Sequence, residues 1–264
     1  MGFLTACVFA LICSASIAQT DPQTRDNKAQ NTKTQNTMAQ RMQACTTCHG
    51  AGAGAQVGRT ANEAYFPRIA GKPAGYLYNQ LLNFRDGRRH FGLMVGMVAH
   101  LSDAYLMEMA QYFAQLDLPY PPAMPPKPGA TAVTLARGQA LVQQGDAARG
   151  IPACTACHGA SLMGVQPAIP ALLGLPRDYM AGQIGAWQTG LRLAHAPDCM
   201  GRIAKLLTAQ DVDALSTWLA AQPVPLATKP AAALPGVEPA AALLGAKPAA
   251  ALPAPLPERC GGMP

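Results

Sequence analysis

The sequence predicts an all-α protein made of two copies of one small helical domain. Three observations predict it. The pentapeptide Cys-x-x-Cys-His occurs twice, as Cys45-Thr46-Thr47-Cys48-His49 and Cys154-Thr155-Ala156-Cys157-His158, each followed by glycine. The residues after the two motifs match at fixed spacing, which is the mark of an internal repeat. No stretch of useful length alternates apolar and polar residues as a strand would.

The chain opens on an apolar run from Phe3 to Ala18, with Ser16-Ile17-Ala18 offering small residues at a cleavage site. Residues 1–18 therefore read as a secretory signal peptide, too short for a membrane span. No Lys or Arg precedes the run, and Cys13 raises a lipoprotein alternative that Ala10, standing where such signals want Leu, disfavours. Residues 19–40 are rich in Gln, Thr and Asn and lack apolar periodicity, so they read as a disordered lead-in.

Residues 41–117 form the first predicted domain. Its Cys-x-x-Cys-His motif is the attachment signature of a c-type haem: the thiols form thioethers with the porphyrin and the histidine takes the iron. A zinc site or a redox Cys-x-x-Cys would need neither the histidine nor the repeat. After the motif comes Phe66-Pro67-Arg68-Ile69-Ala70-Gly71. Tyr76, Gln80 and Phe84 then recur four apart on one helix face, closed by Gly87, with Arg89 just beyond. Ser102 is an N-cap for a terminal helix with the stripe Leu106, Met109, Tyr112 and Phe113.

The prolines of residues 118–130 predict a stiff extended linker. The second domain, residues 131–222, repeats the first. Ile169-Pro170-Ala171-Leu172-Leu173-Gly174 follows its motif, and Tyr179, Gln183, Trp187, Gly190 and Arg192 match the helix pattern. Thr208 caps a final helix with the stripe Val212, Leu215, Trp218 and Leu219. Residues 223–264 are dominated by Pro and Ala and read as an extended tail. Domains this small are marginal on their own burial, and a covalent haem supplies an apolar centre.

The sixth iron ligand decides between electron transfer and chemistry at the metal. Met107 and Met109 lie inside the terminal helix, which leaves Met94 and Met97 on the loop before it. The second domain has only Met200 in the equivalent loop, seven residues before Leu207, and seven residues before Leu101 stands Met94. The repeat thus selects Met94 and Met200 and makes Met97 a packing residue. His90, His100 and His195 are competing ligands, and a Cys199 thiolate is another. The alternative for Cys199 is a disulfide with Cys260, since these are the two thiols left after export and haem attachment. Pro67 and Pro170 are candidate carbonyl acceptors for the ring N–H of His49 and His158. Arg68, Arg89 and Arg192 are candidates to neutralise haem propionates.

These motifs resemble those of tandem dihaem cytochromes of the cytochrome c4 family: CxxCHG, FP-x-I-A-G, Y-x-x-x-Q-L-x-x-F-x-x-G-x-R and M-x-x-M…L-S-D. The resemblance covers about 41–222. It implies two class I cytochrome domains facing across a pseudo-twofold axis, each with a covalent haem c and His/Met ligation. Matched motif by motif, it implies Cys45, Cys48, His49 and Met94 for one haem, and Cys154, Cys157, His158 and Met200 for the other. The lead-in, the tail, Cys199 with Cys260, and Ala168-Ile169-Pro170 where Phe-Pro is usual depart from that pattern.

The expected function is a periplasmic carrier of single electrons, not an enzyme. It would link a dehydrogenase or quinol-oxidising complex to a terminal oxidase or another cytochrome, or serve as a dehydrogenase's cytochrome subunit. The alternative is a dihaem enzyme of thiosulfate dehydrogenase or peroxidase type. The net charge of +6 is scattered, and its longest cluster, Arg88-Arg89-His90, is too short for nucleic acid. Contact with a membrane is expected only through partners.

Overall fold

A computed structural model describes residues 37–50, 66–225, 229–232 and 260–261. The predicted signal peptide, most of the lead-in and most of the tail lie outside the described residues. The described residues fall into two units, one ending at Arg41 and one beginning at Met42. In the first, only Thr37 and helix α1, Met38–Arg41, are described. The lead-in was expected to be disordered through residue 40, yet α1 is helical. Thr37 and Gln40 cap it reciprocally: the Thr37 N–H donates to Gln40 Oε1 and the Gln40 N–H to Thr37 Oγ1.

The second unit contains both repeats. Its first half comprises α2 (Gln43–His49), α3 (Ala74–Arg85), α4 (Gly92–Val98) and α5 (Asp103–Gln115). Pro73 precedes α3, whose chain then turns through Gly87 at a φ of +76°, a conformation open to glycine. Ser102 accepts the Tyr105 N–H at the start of α5. Helices α3 and α5 pack together. Leu77 and Phe84 of α3 bury with Leu106, Met109 and Phe113 of α5.

The second half comprises α6 (Ala132–Gln143), a 3-10 turn (Ala147–Arg149), α7 (Cys154–His158), α8 (Arg177–Gln188), α9 (Cys199–Leu206) and α10 (Ala209–Ala220). Helix α10 packs on both α6 and α8. The crossing with α6 is tight at Gly138, where an added Cβ would lie 2.7 Å from Trp218 Cβ and closer still to the Ala214 carbonyl. Thr208 and Asp211 form a reciprocal capping box at the start of α10. Asp211 is fully buried and also receives Arg137 and Arg149. Burial alone would raise its carboxyl. The hydrogen bonds from Arg149, Thr208 and Arg137 outweigh that and hold it well below the usual carboxylate range.

The described residues contain helices and isolated bridges but no strand, so the architecture is all-α. The linker has no helix, as its prolines dictate, but it does not stand free. Arg68 donates to the Leu118 and Pro119 carbonyls at 2.6 and 3.0 Å, and lies 4.1 Å from the centre of the Tyr120 ring. Tyr120 and Met124 pack against the core of the second half. Two pieces of the tail also dock on that half. The Ala231 N–H donates to Gly164 O, and Cys260 is bonded to Cys199.

The halves meet through main chain and side chain together. Arg89 and Arg192 form an antiparallel bridge, flanked by hydrogen bonds from His90 N–H to Leu191 O and from Leu193 N–H to Arg88 O. Gly75 N–H donates to Pro167 O at 3.1 Å.

Candidate haem sites

Each motif sits on a short helix. Its second cysteine is three residues after the first and its histidine four, which puts all three on one helix face. The chain then leaves through a glycine with positive φ, +65° at Gly50 and +82° at Gly159. The next conserved turn of the repeat brings a proline carbonyl against the ring. His49 Nδ1 donates to Pro67 O at 2.8 Å, and His158 Nδ1 donates to Pro170 O at 2.8 Å. With Nδ1 holding the proton, Nε2 keeps its lone pair for a metal. Burial lowers the affinity of both rings for a second proton, against the opposing pull of the proline carbonyls. The charges of Arg89 beside His49 and Lys72 beside His158 push the same way as burial.

In the second half the histidine opens on an apolar cavity of about 250 Å³. Cys154, Cys157 and His158 line it together with Met200, and Leu207 and Leu215 are among its apolar walls. Burial pushes the Cys154 thiol up to about 11, the environment of a thioether rather than of a thiolate. One donor in this lining is orphaned: Trp187 Nε1 is buried and has no hydrogen-bond partner. A flat apolar group that carries its own acceptors would fill the cavity and satisfy that donor. A haem with its propionates fits both requirements, and the residues present suit it.

In the first half, Cys45, His49 and Met94 are half-buried and Cys48 is exposed. Residues 51–65, which follow this motif, lie outside the described residues.

Met94 and Met200 were expected on loops, but both lie in short helices, α4 and α9. Asp198 accounts for α9, since its side chain accepts the Gly201 N–H as an N-cap. Met97 was expected to pack and instead is 51 % exposed. In α4, Met94 and the buried Val98 are four apart on one face, and Met97 falls beside that face. His90 and His100 are exposed, whereas His195 is half-buried and lines the second cavity. Cys199 is joined to Cys260 by a disulfide, so it presents no thiolate. Cys260 and Gly261 help wall the second cavity, and Gly261 N–H donates to Pro197 O.

Of the three arginines, Arg68 is committed to the linker and away from the second cavity. Arg89 and Arg192 form a crossed clasp. Arg89 donates to Gln80 of its own half, and to Gln183 and Tyr179 of the other. Arg192 donates to Gln183 of its own half and to Gln80 of the other. Their guanidinium carbons lie 4.5 Å and 3.8 Å from the Phe84 and Trp187 ring centres. Both arginines are buried, and neither forms an ion pair with a carboxylate among the described residues. Burial, and then the charge of Arg89, lowers the Arg192 value. Two adjacent buried cations of this kind suit the carboxylates of a bound group. Sequence reasoning named Gln80 and Gln183 as repeat positions but missed that each serves both arginines. It also missed Lys72 and the free Trp187 N–H.

No family model matches the chain. It is 40% identical over 189 residues to the thiosulfate dehydrogenase electron acceptor of Thiomonas intermedia, a match spanning 72% of this chain and 82% of that protein. It is 33% identical over 177 residues to cytochrome c4 of Pseudomonas aeruginosa, spanning 66% of this chain and 82% of that one. Among solved structures, the thiosulfate dehydrogenase TsdBA of Marichromatium purpuratum matches with a TM-score of 0.59 at 31% identity. That match takes in 70% of this chain and 37% of that one, so this chain spans little more than a third of the TsdBA chain.

Proposed function

Because the chain belongs to the cytochrome c4 family of dihaem electron-transfer proteins, we propose that it accepts single electrons from a thiosulfate-oxidising dehydrogenase and passes them to another redox protein. When bound, each haem supplies reversible one-electron exchange between ferric and ferrous iron. The residues of this chain do the rest. Cys45 and Cys48 would anchor one haem and Cys154 and Cys157 the other, while His49 and His158 would give Nε2 to the irons. Met94 and Met200 would offer thioether sulfur to the same irons, and a soft thioether ligand favours the ferrous state. Arg89 and Arg192, held by Gln80 and Gln183, would neutralise the propionates.

One observation carries this reading: each motif histidine is fixed through Nδ1 by a proline carbonyl at the same distance, and in the second half it shares a cavity with a methionine. With a histidine and a methionine both given to each iron, no site would remain open for substrate, which favours a carrier over an enzyme. The disulfide at Cys199 removes the thiolate on which the thiosulfate-oxidising enzyme alternative depended. Among the partners expected from sequence, the names of the relatives favour the dehydrogenase over the quinol-oxidising complex. The export signal read in residues 1–18 and the disulfide support a periplasmic location.

The test is an optical spectrum with haem counted per chain, followed by mixing with a thiosulfate dehydrogenase and thiosulfate. Two haems, a weak methionine–iron band that vanishes on reduction and no carbon monoxide binding are expected, with full reduction on mixing. Carbon monoxide binding to the untreated protein would move it to the enzymes. If the dehydrogenase turns over with an artificial acceptor yet leaves this protein oxidised, the partner is wrong.

A further inference from the structure

Lys72 belongs to the first half by sequence and to the second half's cavity by position. It follows Gly71 just ahead of α3, is 7% exposed, and lines the cavity of the second half. Its Nζ reaches the Ala171 carbonyl at 3.4 Å, one residue beyond the carbonyl that holds His158. That is a long contact for an ammonium with three protons to donate. No carboxylate pairs with it among the described residues. A cation buried without a counter-charge is strongly unfavourable, so its place in this lining points to an anion that the cavity receives.

The repeat sharpens the point. Lys72 follows Phe66-Pro67-Arg68-Ile69-Ala70-Gly71, and the residue at the same place after Ile169-Pro170-Ala171-Leu172-Leu173-Gly174 is Leu175. Leu175 is buried in the apolar core of the second half. The second half therefore returns no matching cation to the first. Burial lowers the Lys72 value most, the Tyr179 phenol works against that and the Arg68 guanidinium adds to it, leaving the value at about 8.

We propose that Lys72 is the counter-ion of a propionate on the haem of the second half, a positive charge delivered across the interface from a position that Leu175 occupies in the other repeat. The proposal rests on the dihaem reading above. A fixed cation near the iron favours the ferrous state, which carries one positive charge fewer. The second haem is thereby made the better electron acceptor of the two, and electrons entering at the first run on to the second.

The test is a potentiometric titration of the holoprotein and of Lys72→Met, Lys72→Gln and Lys72→Arg, with haem counted in each. The two one-electron waves are assigned from the wave that moves in Met94→Ala and in Met200→Ala. Lys72→Met and Lys72→Gln are expected to shift the reduced-to-oxidised ratio of the second haem at least tenfold toward oxidised, about 59 mV for one electron. The first haem should move less, and Lys72→Arg should restore the second. Equal movement of both waves, no movement in either, or failure of arginine to restore the second would overturn the proposal. If Lys72→Met does not retain haem, Lys72→Gln carries the same reading. A wild-type chain with fewer than two haems would instead overturn the dihaem reading itself.

Discussion

His158 Nδ1 lies 2.8 Å from the carbonyl oxygen of Pro170, and this one contact sets the ring's tautomer, its orientation and its fitness as a ligand. Proline is well suited to the task. Its ring fixes φ, so the carbonyl direction is decided by one remaining dihedral. His49 and Pro67 repeat the arrangement in the first half.

Met94→Ala and Met200→Ala should each abolish the methionine–iron absorption of one haem and leave the other intact. Each should also open one iron to carbon monoxide. Met97→Ala should change neither spectrum, because its side chain is 51 % exposed beside the buried face of α4. Loss of the band in Met97→Ala and not in Met94→Ala would show that the repeat alignment is displaced by three residues.

Asp211→Ala removes a buried carboxylate that serves Arg137, Arg149 and the cap of α10. The cost should be about 2–3 kcal/mol in chemical unfolding at neutral pH. The sign of the pH dependence follows from its lowered folded value. The contribution is present above the ordinary carboxylate range and is lost as pH falls through the folded value. The stability gap between wild type and variant should therefore persist at mildly acid pH and close only in strong acid. A constant gap down to about pH 2 would contradict this.

Much of this architecture is legible in the sequence because helices repeat locally. Tyr76, Gln80 and Phe84, or Ser102 and Leu106, reveal their face and cap through spacings of three and four. The proline carbonyls and the proposed methionine pair, Met94 and Met200, are read by comparing one half with the other. What stayed hidden is contact across long stretches of chain. Nothing near Lys72 announces the Ala171 carbonyl, and nothing near Arg137 announces Asp211. The helical state of the Met94 segment was also missed: Gly92 and Gly96 favour a loop locally, and burial of Val98 overrides them.

Cys199→Ser should expose one reactive thiol, at Cys260, in the mature haem-loaded protein. The bridge closes a sequence separation of 61 residues. In the chain-entropy account a loop of that size stabilises by about 4 kcal/mol, so a large drop in thermal midpoint should accompany the new thiol. A thiol count that falls from two in the wild type to one in the variant would show that the pair is not bonded in solution.

Gly138→Ala tests the crossing of α6 and α10. The new methyl meets the backbone of Ala214 and the Cβ of Trp218, neither of which can rotate away. Overpacking of this kind should cost about 1–3 kcal/mol despite alanine's better helix propensity. A stabilised variant would mean that the two helices stand further apart in solution.

The crossed clasp of Arg89 and Arg192 has a kinetic meaning. Each glutamine accepts from both arginines, so a swivel of one half breaks bonds on both sides at once. The clasp opposes rotation of one half against the other. Exchange of an electron inside the molecule is then a fixed-distance event, whose rate should be insensitive to solvent viscosity. Only the meeting with an outside partner should slow as the medium thickens.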